Sequence, residues 1–425
     1  ETPHWKPPCA GELPLARCYP RTSTAALKPA SFTGGTVTAI TYSSVKTPVH
    51  LEQSSREDHV KIDRVEIREI RMQLREPFEI SSGVSYDRRL LLVAMHSEGI
   101  TAWGECVAGE TPAYSYETTD TAWSILTGLI LPRVAGSVME RPADLLPAFT
   151  GVRGHPMARA AVEMAAWDLE AKSSGRSLAS LVEGTRATVP VGVSIGLQPT
   201  DQDLYRRVAD YIAEGYSRVK VKIKPGRDVA MLRGLRERFP DTPFMADANS
   251  AYSLEDLPLL HELDELGLTM IEQPLAHDDY LDHARLQGEM ETAICLDESI
   301  RSARDAALAL ELGSCRIINI KPGRVGGLSA AKAIHDLCVD HDVPVWCGGM
   351  LESGIGRAHN VALASLPGFT LPGDISASRR YWSEDIVTPE FTLDGGAISV
   401  PSGPGIGVEV RQDLVDAWTV RKVDF

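Results

Sequence analysis

No two of the seven cysteines stand as a C-x-x-C pair, and none shows the spacing of a zinc site. Cys9, Cys18, Cys106, Cys295, Cys315, Cys338 and Cys347 are read as reduced thiols, most of them small buried hydrophobes, in a cytoplasmic protein. Long apolar runs are also missing: none approaches the roughly eighteen residues that a membrane helix needs. Basic residues are outnumbered, 43 to 58, and the formal net charge of −15 argues against nucleic acid or an anionic membrane as partner, because phosphate binding needs a positive field. A small-molecule ligand remains. The glycine-rich GRVGG near residue 323 has no Walker lysine and misses the dinucleotide spacing, so it reads as turn and packing.

What is present is a well-packed soluble composition, 43% hydrophobic and 24% charged over 425 residues. That length suits a barrel of roughly 250 residues with a smaller partner. The opening stretch, from ETPHWKPPCAGELP to LEQSSRED, is rich in Pro, Thr and Ser without helical or strand periodicity. Residues 1–59 are expected to be an irregular or disordered extension, with an organelle transit peptide as the alternative.

From residue 189 a rhythm sets in, a short β-branched strand, a polar end, then an amphipathic helix closed by Gly. VPVGVSIG (189–196), RVKVKIK (218–224), FMADAN (244–249), MIEQPL (270–275), ICLDES (294–299), RIINIK (316–321), VPVWCGG (343–349) and FTLPGD (369–374) read as eight strands. Between them, DQDLYRRVADYIAEG carries Leu204, Val208, Tyr211 and Ile212 at helical spacing before Gly215. SLEDLPLLHELDELG starts at Ser253, with Asp256 three residues on, and ends at Gly267, while SARDAALALELG repeats the plan with Ser302, Asp305 and Gly313. Strand alternating with helix means parallel strands joined by crossovers, an α/β fold, and eight favour a closed (β/α)8 barrel. Before it, VKIDRVEIREIRMQL and RRLLLVAMHSEGITAWGECVA read as antiparallel strands and GHPMARAAVEMAAWDLEAKSSG as an Ala-rich helix. After it, FTLDGGAISVPSGPGIGVEV returns to short strands and turns. The expected division is a barrel over 187–375 and an α+β capping domain from 60–186 plus 376–425.

Functional residues of such a barrel lie at the C-terminal ends of its strands. Asp247, Glu272 and Asp297 recur there every 25 residues, Lys222 stands one period earlier, and Lys321 stands 24 residues later. Three carboxylates converging on one rim repel by on the order of several kcal/mol at intermediate dielectric. A hard divalent cation relieves this, and oxygen-only ligands suit Mg²⁺ best and Mn²⁺ next. Asn249 and Glu298 are expected just behind these ligands. Lys222 and Lys321, four strands apart in a ring of eight, face each other across the barrel. A carboxylate substrate between them has its α-carbon between two amines, an arrangement for removing an α-proton while a cation stabilises the enediolate. A positive neighbour favours the neutral form of an amine, and Lys220 is expected to supply that charge. Lys224 reads as a loop residue.

These residues, with NIKPGRVGG and GGMLESGIGRAHNVALASLPGFTLPGDIS, resemble the enolase superfamily and its muconate-lactonizing-enzyme subgroup from about Val60 to Val410. Within it the chain is most similar to the o-succinylbenzoate synthase and N-succinylamino acid racemase family. That resemblance implies Lys222 as base in the K-x-K of strand 2, Lys321 as the opposite lysine, and Asp247, Glu272 and Asp297 as metal ligands. It also implies that the loop FEISSGVSYDRR (78–89), with Ser81 and Ser82, covers the site, and that Ser194, Gly349, Met350 and Glu352 line the substrate pocket. The implied activity is dehydration of a succinyl-cyclohexadiene carboxylate to o-succinylbenzoate for menaquinone synthesis, racemisation of N-succinylamino acids, or both. Dipeptide epimerisation and muconate-type cycloisomerisation are the enzymatic alternatives, and a catalytically silent structural member is the third. A homo-oligomer is expected.

Overall fold

The computed structural model describes residues 59–81 and 83–425. The expected extension, His59 apart, lies outside the described residues.

Seven strands form one parallel sheet in chain order: Val193–Ile195, Val219–Lys222, Phe244–Asp247, Ile271–Glu272, Ile294–Leu296, Ile317–Ile320 and Val345–Cys347. The eighth predicted strand is not a regular strand. Residues 369–374 touch the seventh strand at Val345 and Phe369 and meet the start of the barrel at Val191 and Gly373, through isolated bridges. Pro372 lacks the N–H that a ladder needs, so the barrel closes through single bonds, among them Gly192 N–H to Gly373 O at 2.7 Å.

The outer helices follow their end signals. Asp201–Glu214 begins where the Thr200 hydroxyl accepts from Asp203 N–H, ends at Gly215 with φ 97°, and buries Leu204, Val208 and Tyr211. Ser302 and Gly313, φ 71°, bracket Ala303–Leu312 in the same way. The Ser253–Asp256 capping box is present, but it opens a 3-10 turn, and the α-helix that follows covers only Leu257–Asp264.

Inside the barrel, Met245, Met270, Cys295, Ile317 and Trp346 form a buried apolar cluster of their own. It lies on the inward face of the strands that carry Asp247, Glu272, Asp297 and Lys321 two or more positions further on, and so forms the floor beneath them.

The capping domain is a four-stranded antiparallel sheet in the order Thr419–Asp424, Arg64–Ile80, Gly83–Ser97, Ile100–Cys106. Helix Pro156–Ser173 lies on it. The approach is close enough that a Cβ at Gly104 would stand 2.0 Å from Ala161 O, which is why small residues occupy both sides. One expectation needs correction. The segment 78–89 is not an open loop: its strands run to Ile80 and resume at Gly83, making a hairpin tip with a register shift between Gln73 and Phe78. Alternation of Phe78 and Ile80, then Val84 and Tyr86, carries strand pattern to the turn. As expected, 391–410 holds short strands and turns, Ala397–Ser399 and Glu409–Val410; beyond it helix Gln412–Trp418 precedes Thr419–Asp424, which pairs with Arg64–Ile80. Among the described residues no helix is long and apolar enough to cross a membrane.

Candidate active site

The barrel and the hairpin enclose a cavity of ≈ 410 Å³ lined by Lys222, Asn249, Lys321, Gly349, Met350 and, from the capping side, Tyr114 among others. Lys222 ends the second strand and lies in register with Asp247, which lies in register with Glu272. The next step breaks the pattern. Glu272 is level with Cys295, so Asp297 sits two residues past that level, beyond its strand. Barrel strands are staggered, so equal sequence spacing does not give equal height.

Lys222, Asp247, Glu272, Asp297 and Lys321 are all buried, while Asn249 and Tyr114 are half-buried. Lys222 Nζ donates to Asp247 Oδ2 at 2.5 Å and to Asn249 Oδ1 at 2.7 Å. Lys220 Nζ lies 3.0 Å from Asp247, 2.8 Å from Glu272 and 2.7 Å from Asp374. Across the cavity, Lys321 Nζ donates to Asp297 Oδ2 at 2.7 Å and lies 3.1 Å from the Tyr114 hydroxyl. Arg324 donates to the other Asp297 oxygen, and Asn319 Nδ2 donates to Glu272 Oε1 at 2.7 Å. Beneath, Lys220 and Arg218 each stand 5.0 Å from the centre of the Trp346 ring, a cation–π floor.

Burial opposes every charge here, and the partners decide the outcome. At Asp247 burial works upward, yet Lys222 and Lys220 hold the carboxyl below its usual range. Glu272 goes up, through burial and the Asp247 charge. Glu298 is pushed up to about 7 by burial and by Asp247. At Lys220 burial works downward but Asp374, Glu272 and Asp247 outweigh it, so the ammonium form is held. Lys321 is likewise raised despite burial, through Tyr114, Glu272 and Glu298.

The predicted residues are brought together unequally. Asp247 and Glu272 share the Lys220 ammonium, while Asp297 is drawn to Lys321 and Arg324. Among the described residues no three Asp, Glu, His or Cys side chains converge as a preformed metal cluster. The donor set nevertheless fits a hard cation: three buried carboxylates on adjacent strands, oxygen ligands only, and beside them Glu298, whose Oε2 is buried with no hydrogen-bond partner among the described residues. Asn249 joins Lys222 to Glu298, donating to Glu298 Oε1 at 2.8 Å.

Of the expected pocket residues, Gly349 and Met350 line the cavity. Glu352 is buried behind them, accepting from Met350 N–H at 2.6 Å. Ser194 is buried in the first barrel strand, away from the cavity lining, and its hydroxyl has no partner among the described residues. Ser81 lies at the hairpin turn, 3.5 Å from Asn249 O, and Ser82 lies outside the described residues. Lys224 lies 3.6 Å from Glu79 of the hairpin, at the edge of the site. Sequence reasoning missed Tyr114, Arg324, Asn319 and the bonds of Asp374. Asn319 lies two residues before Lys321 and so shares its inward face, a signal available from alternation. Tyr114 lies in an irregular segment with no such signal. Gly348 is needed for room, since a Cβ there would stand 2.5 Å from Lys321 Cε.

Residues 62–183 match the mandelate racemase / muconate lactonizing enzyme N-terminal domain, and residues 203–414 match the enolase C-terminal domain-like family. An o-succinylbenzoate synthase of Geobacillus kaustophilus is 52% identical over 361 residues, 85% of this chain and 96% of that protein. An N-succinylamino acid racemase of Thermus thermophilus is 47% identical over 361 residues, 85% of this chain and 98% of that protein. A crystal structure of an enolase superfamily member from Listeria innocua superposes with TM-score 0.83 at 43% identity, covering 86% of this chain and 99% of that one.

Proposed function

The chain belongs to the enolase superfamily, in its mandelate racemase / muconate lactonizing enzyme branch, and from that premise we propose that it removes a proton α to a carboxylate, as an o-succinylbenzoate synthase, an N-succinylamino acid racemase, or both. The observation that carries this reading is the pair Lys222 and Lys321, on the second and sixth strands, both lining one cavity beside buried carboxylates. This chain aligns with relatives bearing each of the two names over 96% and 98% of their length.

Asp247, Glu272 and Asp297 would hold Mg²⁺, with Mn²⁺ as the second choice. When bound, that cation supplies the Lewis acidity that makes the α-proton removable. The residues of the chain do the rest. Lys222, positioned by Asn249 and Asp247, takes the α-proton on one face of the substrate. Lys321, positioned by Asp297 and Tyr114, stands on the other face. Return of a proton from Lys321 to the same carbon inverts it, giving racemisation. In a substrate with a β-hydroxyl on the Lys222 side, Lys222 passes its proton to the departing hydroxyl, water leaves, and the Lys321 ammonium offsets the negative charge of the enediolate. The wall formed by the hairpin and the Tyr114 segment excludes water from the pair.

Dipeptide epimerisation is disfavoured by Asp374. Its oxygens are committed to Lys220 and Arg218 at 2.7 and 2.8 Å, and Ser376 is fully buried, which leaves this strand end without an acid for a dipeptide ammonium. Lys222→Ala is expected to lower dehydration of the succinyl-cyclohexadiene carboxylate by about a thousandfold or more, measured as o-succinylbenzoate formation. Turnover within tenfold of the wild type would sink the assignment of Lys222 as base.

A further inference from the structure

The cavity has one cation that the acid-base chemistry does not use. Among its described lining residues the positive side chains are Lys222, Lys321 and Arg88. Arg88 lies on strand Gly83–Ser97 of the capping sheet and is 7% exposed. One guanidinium nitrogen donates to Val107 O at 2.8 Å, while Nε is buried with no partner among the described residues. Burial works against its charge, and Glu105 and Glu352 work for it. An arginine keeps its proton in such a setting and presents its donors in a fixed fork suited to a carboxylate.

Both substrate types named in the proposed function are dicarboxylates. One carboxylate adjoins the carbon that loses its proton and belongs with the metal-ligand set. The other ends the succinyl chain, and burying it unpaired would be costly. We infer that Arg88 is the receptor for this distal carboxylate, a specificity-determining residue that selects N-succinyl and succinyl-ring substrates over analogues with an uncharged acyl chain. The inference rests on the proposed function. The acids that share the cavity wall do not compete for Arg88: Glu117 accepts from Met157 and Ala158 N–H at 2.7 and 2.9 Å, and Asp87 and Glu110 lie 3.4 and 4.0 Å from Arg71.

The test compares an N-succinylamino acid with the N-butanoyl compound of the same amino acid, which has the same chain length and no distal charge. Exchange of the α-proton in D₂O is followed for the Mg²⁺-loaded wild type, Arg88→Gln and Arg88→Lys. The wild type is expected to favour the succinyl compound by about tenfold to hundredfold in kcat/KM, the worth of a charge-assisted hydrogen bond. Arg88→Gln should erase that preference by raising KM for the succinyl compound alone, and Arg88→Lys should restore part of it. A wild type that exchanges both compounds equally overturns the inference without any variant and leaves the proposed function standing. Equal losses on both compounds in Arg88→Gln, with no recovery in Arg88→Lys, assign Arg88 a packing role and also overturn it. A wild type that exchanges neither compound and forms no o-succinylbenzoate overturns the function and the inference together.

Discussion

Asp374 anchors a chain of buried charge that runs from Arg218 through Lys220 to Asp247 and Glu272. Burial alone would raise its pKa, but Lys220 and Arg218 hold it down to about 2, against an ordinary value of 3.8. A carboxyl depressed in the folded state stabilises the fold above its unfolded pKa and loses that contribution as pH falls through its folded pKa. The window is therefore pH 4 down to about 2. A shift of this size corresponds to about 2 kcal/mol. In urea unfolding, the stability lead of the wild type over Asp374→Asn should shrink by about that amount across this window. A lead that stays constant with pH would show that Asp374 is not held by these cations.

Between elements, buried glutamates join the cap to the barrel by capping the N-termini of barrel helices. Glu105, on a cap strand, accepts from Ser353 and Gly356 N–H, both at 3.0 Å, at the start of helix Gly354–Ala364. Glu163, on the cap helix, accepts from Leu328 and Ser329 N–H at 2.8 and 2.9 Å at the start of Leu328–Asp340. The first N–H groups of a helix have no intrahelical partner, and an acceptor there also meets the positive end of the helix dipole. Glu105→Ala leaves buried donors unpaired and should cost about 2 to 4 kcal/mol. A urea midpoint corresponding to a loss below about 0.5 kcal/mol, the level of ordinary surface changes, would contradict the clamp. These contacts also mark where sequence reading ends. Ser302 and Gly215 announce helix ends because a cap lies next to the turn it satisfies. Glu105 and Ser353 are 248 residues apart, and nothing local to either predicts the meeting.

For the molecule as a whole, the alternating plan was legible because each parallel strand must be followed by a crossover helix. The closing strand was not, because FTLPGD has a strand's apolar start but Pro372 lacks a ladder N–H, and the segment pairs only through isolated bridges. Periodicity found the acids, and Lys222, Asp247 and Glu272 do share one level. It did not show Asp297 displaced by two residues, nor Tyr114 and Arg324 gathered around it. In the proposed mechanism, two lysines work on opposite faces of one substrate carbon. Its most direct test is exchange of the α-proton in D₂O for each separate enantiomer of an N-succinylamino acid, with Lys222→Ala and Lys321→Ala. The account predicts that each variant loses exchange on one enantiomer and keeps it on the other, with the two losses on opposite enantiomers. Loss of exchange on the same enantiomer in both variants, or retention of both exchanges in either, would contradict it.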